Sequence, residues 1–403
     1  MEMSSEKKDA FNRILEDLAG ELGITKTQYE NLATSYKAVG TWLNDDENLK
    51  GYDVNVYPQG SFRLGTIIQP INEDDDLDID LVCRLTSKPP YWTQEDLKES
   101  IGDRLKANAM YSKMIKEKDG GRRCWTLLYR ENDPKDKYHL DVLPAVVDRA
   151  TISVIDEMAG REYDYENVKK SAIRITDKED SGYAVDSNSS NWLKSFPDGY
   201  AAWFVSRCKT VERWEVLAEA VAPIGTYVEK KTILQKAIQI LKRHRDIMFD
   251  GDDDKPISII ITTLASKAYN KENNLVDALM GIVQRMGLYI KNRGGISWVE
   301  NPVNPEENFA DKWPASPRKK VNFYKWLDAV KSDLQTLLTL VGQDRIYGFI
   351  SDKFGERVIR KLFESWGSSM KKGFDSGKLR ISKVGTIGSV GVLASHGHTF
   401  FGS

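Results

Sequence analysis

In the segment Leu77-Asp78-Ile79-Asp80-Leu81-Val82-Cys83, acids alternate with apolar residues at a period of two. That period is a strand's, in which successive side chains point to opposite faces, so Asp78 and Asp80 project together while Leu77, Ile79 and Leu81 face a core. Two carboxylates on one pleat stand about 7 Å apart at Cα, near enough for their side chains to converge on one site. Left unneutralised they repel each other; a divalent cation relieves the repulsion, and an oxygen-only ligand set suits Mg²⁺ or Mn²⁺. The alternative for the pair is the exposed face of an edge strand. The preceding acids, Glu73 to Asp76, follow Pro70-Ile71-Asn72 without strand periodicity and read as a solvated acidic turn. Residues 73 to 80 hold six acids in eight, about fivefold more than an even spread of sixty acids over 403 residues, a density that solubility alone does not require.

Around this strand the texture is mixed. Apolar residues recur at helical spacing from Ala10 to Leu43, with a break near Gly23-Ile24-Thr25 that predicts two N-terminal helices or one kinked helix. Residues 52–57, 77–85, 125–129 and 138–147 are short runs rich in Val, Ile, Leu and Tyr, bounded by turn formers, and read as strands, with 93–117 as helix between two of them. Beyond Arg149 comes a loop-rich stretch. Helical periodicity then dominates at 232–249, 258–291, 322–342 and 353–366. The expected architecture is α+β and bilobal: a mixed-sheet core with the N-terminal helices (1–165), a helical lobe (166–375) and a flexible Gly-rich tail (376–403), with a ligand site in the cleft.

Composition narrows the function classes. Fifty-eight basic against sixty acidic residues give a net charge of −2, so there is no global positive field to hold a long nucleic acid, while a small anion needs only a local pocket. Cys83, Cys124 and Cys208 stand far apart without CxxC spacing, which argues against a disulfide framework or structural zinc and for a reducing, cytoplasmic setting. The N-terminus lacks the apolar core of a signal peptide, and there is no 18-residue apolar run, so no membrane span is expected.

Two further segments bear on the acidic strand. Gln59-Gly60-Ser61-Phe62-Arg63-Leu64-Gly65-Thr66 lies where a strand gives way to a first helical turn, where Gly60 permits close backbone approach and Ser61 with free N–H groups can cradle a phosphate. Tyr138-His139-Leu140-Asp141-Val142-Leu143-Pro144 places one acid, Asp141, in an apolar strand, where it is costly unless paired or bound to metal. The Asp250–Asp254 run has a misplaced glycine for a calcium loop and reads as a turn between helices. His139 shares the face of Asp141 if the strand is regular and suits a packing or supporting role. His396 and His398 lie in the tail and make a weak metal pair.

GS, then DxD 17 residues on, then a third Asp 61 residues further resembles the polymerase-β-type nucleotidyltransferase superfamily at Gly60, Ser61, Asp78, Asp80 and Asp141. The words QGSFRLGT, DLDIDLV and HLDVLPAV, with SNWLKSFPDGYAAWF, ILKRHRD and KPISIII further on, are similar to the bacterial cyclic oligonucleotide synthases related to cyclic GMP-AMP synthase, over roughly residues 50 to 265. The resemblance implies a magnesium-dependent enzyme that joins nucleoside triphosphates into a cyclic di- or trinucleotide messenger, releases pyrophosphate and serves anti-phage signalling. By the same resemblance, Asp78, Asp80 and Asp141 are catalytic and metal-binding, Gly60 and Ser61 bind phosphate, and Lys242 and Ser258 contact the donor triphosphate. From the sequence, Lys242 is equally a solvated helix lysine, and Ser258 equally a helix cap. Relatives conjugated at a C-terminal glycine imply ubiquitin-transfer-like partner enzymes, although here Gly402 is penultimate to Ser403. With no zinc module and no excess positive charge, no requirement for double-stranded DNA is expected. The competing readings are an RNA- or protein-directed nucleotidyltransferase and a non-catalytic nucleotide-binding regulator.

Overall fold

A parallel pair of strands forms the centre of the molecule. In the computed structural model, which describes residues 4–72, 75–129, 137–148, 172–208, 227–228, 230–375, 380–381, 387–388 and 392–393, β2 (Leu77–Leu85) runs parallel to β4 (Tyr138–Val147). β1 (Val54–Pro58) is antiparallel to β2 on the outer side. The other edge of β4 is shared: β3 (Trp125–Tyr129) pairs with Tyr138–Val142, and β5 (Ile173–Ile175) pairs with Ala145–Val147. β6 (Leu193–Ser195) then pairs with β5. The sheet thus extends beyond the four strands that the apolar runs predict. β5 and β6 are only three residues long and too short to show a period.

One sheet face carries the main core. Ile79, Leu81, Cys83 and Leu85 of β2 and Leu140, Val142 and Val146 of β4 are buried with Trp125, Leu127 and the apolar sides of two helices. These are α2 (Lys26–Asn44), contributing Leu32, Tyr36, Val39 and Leu43, and α4 (Gln94–Lys106), contributing Leu97, Ile101 and Leu105. Each such side chain contributes roughly 1.5–3 kcal/mol by leaving water. Both helices start on capping boxes, Thr25 with Gln28 and Thr93 with Asp96, and α1 (Ser5–Leu22) is capped by Ser4. The break expected at Gly23-Ile24-Thr25 is therefore the junction of two separate helices. Gly102 of α4 lies against the Trp125 ring so closely that a β-carbon there would collide with it.

Beyond the sheet the chain is mostly helical: α6 (Pro197–Cys208), α7 (Ile233–Met248), α8 (Ser258–Ala268), α9 (Leu275–Arg285) and α10 (Pro317–Thr339) follow the four-residue α3 (Gly60–Arg63) and α5 (Tyr111–Met114). The periodic stretch 258–291 is two helices, since Lys271 takes a positive φ of 60° and Asn274 caps a fresh start. Two hairpins that the helical pattern did not disclose follow it, Lys291–Arg293 with Ile296–Trp298 and Glu300–Asn301 with Asn304–Asn308. The acidic run after α7 is a turn, as expected, and binds the start of α10: Asp252 pairs with Arg318 at 2.7 Å and Asp254 with Lys319 at 3.0 Å.

Contacts divide the chain into Met1–Thr336 and Leu337–Ser403. The second unit contains α11 (Gln343–Phe354) and α12 (Glu356–Asp375), joined at Gly355, whose φ of 96° favours glycine, and three two-residue strands. The lobe boundary expected at 165 lies outside the described residues, as do Glu73, Asp74, residues 149–171 and 209–226 of the loop-rich stretch, His396, His398 and the Gly402-Ser403 end. Among the described residues no helix is long and apolar enough to cross a membrane.

The edge of the sheet near the site is fastened by Asp177, just past β5. Its carboxylate accepts from Arg122 Nε and Nη2 at 2.6 and 2.8 Å and from Arg123 Nε at 2.8 Å. Burial alone would raise its pKa, but the bonds from Arg122, the Glu179 backbone and Arg123 outweigh burial and hold it down to about 2. This stabilisation is complete above the ordinary carboxylate range near ~4 and is lost as pH falls toward 2. Asp177→Asn should cost roughly 2 kcal/mol in denaturant melts at pH 7, and its acid limb between pH 4 and 2 should be flatter than that of the wild type.

Candidate active site

Because β2 and β4 are parallel, their acids come side by side rather than at opposite ends: Asp78 is level with His139 and Asp80 with Asp141. All four lie on the face away from the main core, ahead of a small apolar patch of Val82, Leu143, Ala145, Ile173 and Ile175. Asp78 is exposed, while Asp80, Asp141 and His139 are half-buried. Asp141 accepts a 2.5 Å bond from Thr126 Oγ1, its antiparallel neighbour on β3. His139 Nε2 lies 3.1 Å from Asp78 Oδ1.

The electrostatics are those of crowded like charges. Burial, then Asp78, then Asp141 push Asp80 up to about 7. Asp141 is also raised, by burial and Asp78, against the Thr126 bond that lowers it. His139 is raised mainly by its bond to Asp78. A cation would offset this crowding. Asp78, His139 and Asp141 each offer a ligand atom, and these atoms lie within 4.8 Å of one another. A carboxylate-rich donor set with one imidazole fits a divalent ion such as Mg²⁺ or Mn²⁺. Asp80 is outside that trio and its Oδ2 lies against Gly60.

Gly60 opens α3 immediately after β1, and Gln59 N–H donates to the Asp80 carbonyl at 2.8 Å, which draws the turn onto β2. Gly60 has a φ of 60°, and a β-carbon on it would strike the Asp80 carboxylate. A cavity of about 240 Å³ opens here between the sheet and the helices, lined by Gln59, Gly60, Arg63, Leu64 and Asp80 on one side and Pro197, Tyr200, Ala201 and Ile259 on the other. Arg63 of α3, which lines the cavity, is ion-paired with Asp198 at the start of α6, both largely buried. Ser61 is half-buried in the same turn, and its carbonyl accepts from Thr66 N–H at 3.0 Å.

The two residues expected from the helices are placed differently from that cradle. Lys242 is not a solvated lysine: it is buried on α7, its Nζ donates to the Thr66 carbonyl at 3.0 Å, and it is not among the residues lining the cavity. Burial and the nearby Arg245 push it down to about 8. It belongs to a row of donors on one side of α7. Gln235 reaches the Leu64 carbonyl at 2.8 Å, Gln239 the Ile67 carbonyl at 2.7 Å, and Arg243 the Gln69 carbonyl. Ser258 is the first residue of α8 but not its cap, which is Ile257; its hydroxyl accepts from Arg245 Nη1 at 3.0 Å, one residue from the cavity wall at Ile259. Thr126, Arg63 and Asp198 escape sequence reasoning, since antiparallel register and the pairing of elements 135 residues apart leave no local trace. His139 was traceable, at two residues before Asp141 on the same face.

Comparison with known proteins bears on the fold and on the family that the chain resembles. Residues 9–178 match the Second Messenger Oligonucleotide or Dinucleotide Synthetase domain family. A c-di-GMP synthase from Roseivirga ehrenbergii is 29% identical over 374 residues, covering 91% of this chain and 89% of the relative. The cyclic dinucleotide synthase CdnG of Bradyrhizobium diazoefficiens is 23% identical, covering 98% and 95%. The solved structure of that CdnG in complex with GTP superposes with a TM-score of 0.66 at 21% identity, covering 88% of this chain and 99% of the other.

Gly60→Ala should therefore displace the Asp80 carboxylate while leaving the sheet intact. The expected outcome is at least a hundredfold loss of nucleotide turnover, roughly the effect of removing one preorganised contact, with a melting temperature close to wild type. Turnover and thermal melts on the same preparation check both halves.

Proposed function

We propose that this chain, similar over residues 9–178 to the Second Messenger Oligonucleotide or Dinucleotide Synthetase domain family, is a bacterial CD-NTase that joins ribonucleoside triphosphates, GTP among them, into a cyclic dinucleotide with release of pyrophosphate. The observation that carries the reading is the convergence of Asp78, Asp80 and Asp141 on one face of two parallel strands, with Asp80 and Gly60 lining the adjoining cavity. Guanine as a base is supported by the relative named a c-di-GMP synthase and by the GTP complex of CdnG.

In this mechanism a ribose hydroxyl attacks the α-phosphorus of a bound triphosphate in line with the departing pyrophosphate. Asp78, Asp80 and Asp141 would hold Mg²⁺ or Mn²⁺, and when bound such ions neutralise the phosphates and favour the deprotonated hydroxyl. Asp80, wedged against Gly60, would fix the distance between the carboxylates and the phosphate cradle. Thr126 would keep Asp141 turned toward the attacking oxygen. Gly60, Ser61 and the N–H groups of their turn would bind the β- and γ-phosphates. Lys242 would act through the backbone of residues 64–69, holding the segment that follows the cradle, and Ser258 would border the triphosphate beside Ile259. A second round on the linear product, with its ends exchanged, closes the ring. A cytoplasmic role in anti-phage signalling, with ubiquitin-transfer-like enzymes acting on the C-terminus, completes the proposal.

Replacing Asp78 and Asp80 together with Ala should lower pyrophosphate release from mixed NTPs by about a thousandfold or more, with the fold preserved by circular dichroism. Phosphatase-resistant products labelled from GTP should vanish in parallel. Wild-type enzyme that yields only open-chain polymer or transfers label to protein would refute ring formation.

A further inference from the structure

Ser258 is held by a residue that takes no part in the mechanism above. Arg245 of α7 is 5% exposed and is not among the residues lining the cavity. Its Nε donates to Asp246 Oδ1 at 2.7 Å, and its Nη2 stands 2.6 Å from the same oxygen, so its charge is answered by its own helix. That leaves Nη1, which has two N–H groups. It donates to the Pro256 carbonyl at 2.9 Å and to Ser258 Oγ at 3.0 Å. A serine hydroxyl has one proton and two lone pairs, and a guanidinium accepts nothing. With a lone pair committed to Arg245, the Ser258 proton has to point elsewhere, and among the described residues it meets no acceptor. The next residue, Ile259, lines the cavity. The helix begins on Ile257, whose side chain caps none of the first N–H groups. An anion in the cavity would meet an uncommitted hydroxyl proton and uncapped amides together.

We propose that Arg245 is a positioning residue for triphosphate binding: by occupying the acceptor side of Ser258 it turns the hydroxyl proton toward the cavity, as a donor to the γ-phosphate. The inference rests on the reading of Ser258 as a neighbour of the triphosphate and deepens it, since it names the phosphate that Ser258 meets and the residue that aims it. The acids of β2 and β4 take the end of the nucleotide where the reaction occurs, which leaves the helical wall at Ile259 to the terminal phosphate. A hydrogen bond to a charged oxygen is among the stronger ones and separates a triphosphate from a diphosphate. Because Asp246 neutralises the guanidinium, Arg245 supplies direction rather than field, and its influence on the nucleotide passes through Ser258 alone.

The test is calorimetric binding to the full-length protein, in Mg²⁺, of guanosine 5′-(α,β-methylene)triphosphate, which cannot lose pyrophosphate, and of the matching α,β-methylene diphosphate. Wild type should prefer the triphosphate by at least about tenfold. Arg245→Lys keeps a charge beside Asp246 but not the planar fork that also reaches Ser258. Ser258→Ala and Arg245→Lys should each lower that preference by about tenfold while leaving diphosphate affinity within about twofold. The double variant should lose no more than Ser258→Ala alone, because the two residues act through one bond. Equal weakening of both analogues in Arg245→Lys marks a purely structural residue and overturns the proposal, as does a wild-type preference there or a loss that adds to that of Ser258→Ala. An unchanged preference in Ser258→Ala sinks the reading of Ser258 as well, whereas a loss in Ser258→Ala alone sinks only the role of Arg245. A crystal structure of the wild type with the triphosphate analogue needs no variant to fold. Ser258 Oγ bonded to both Arg245 Nη1 and a γ-phosphate oxygen supports the proposal; a guanidinium on the phosphate, or Ser258 turned away from it, overturns it.

Discussion

The molecule is organised around a repulsion. Asp78, Asp80 and Asp141 are brought together by the parallel register of β2 and β4, and burial with the neighbouring carboxylates drives Asp80 up to about 7. Carboxylates in such a place are tolerated when something else gains from them, and a divalent ion would gain here. The same strands that carry the charge bury Ile79, Leu81, Leu140 and Val142 completely on their other face, so the core clamps the backbone while the acids strain apart. Alternation at period two is what lets one strand do both.

The rest of the chain holds the phosphate turn against those acids. The segment after Gly60-Ser61 runs from Leu64 to Pro70 without a strand partner among the described residues, so its carbonyls need donors from elsewhere. Gln235, Gln239, Lys242 and Arg243 provide them from positions that fall on one side of α7. At its far end the segment is tied to the α1–α2 junction, where Gln69 N–H donates to the Leu22 carbonyl at 2.8 Å. Arg63, paired with Asp198, closes the arrangement across the cavity. A helix far along the chain thus fixes the exit of the turn that faces the acids.

Several parts of this were legible beforehand for stated reasons. The four longer strands announced themselves because each buries an apolar face beside polar residues. The helices beginning near Thr25, Thr93 and Thr232 showed in the apolar spacing or in their place between strands, and the structure adds a capping box at each start. The order of Gly60-Ser61, Asp78-x-Asp80 and Asp141 pointed to nucleotidyl transfer through its resemblance to the polymerase-β-type nucleotidyltransferases. Strands of two or three residues were hidden, because a period needs length to be seen. The position of Lys242 was hidden as well: its sequence neighbours describe an amphipathic helix, and nothing local says that the face beside the apolar stripe will meet a run of bare carbonyls.

What the sequence determined by itself is which residues carry charge and which backbone they can adopt: alternation makes β2 a strand with both aspartates on one side, and only glycine sits easily at the left-handed φ of position 60. The tertiary structure decided who meets whom. Parallel rather than antiparallel pairing set Asp80 beside Asp141 and Asp78 beside His139, and a one-residue slip would have turned every acid into the core. That choice depends on burial summed over the whole sheet and its covering helices, a quantity that no local window of the chain contains.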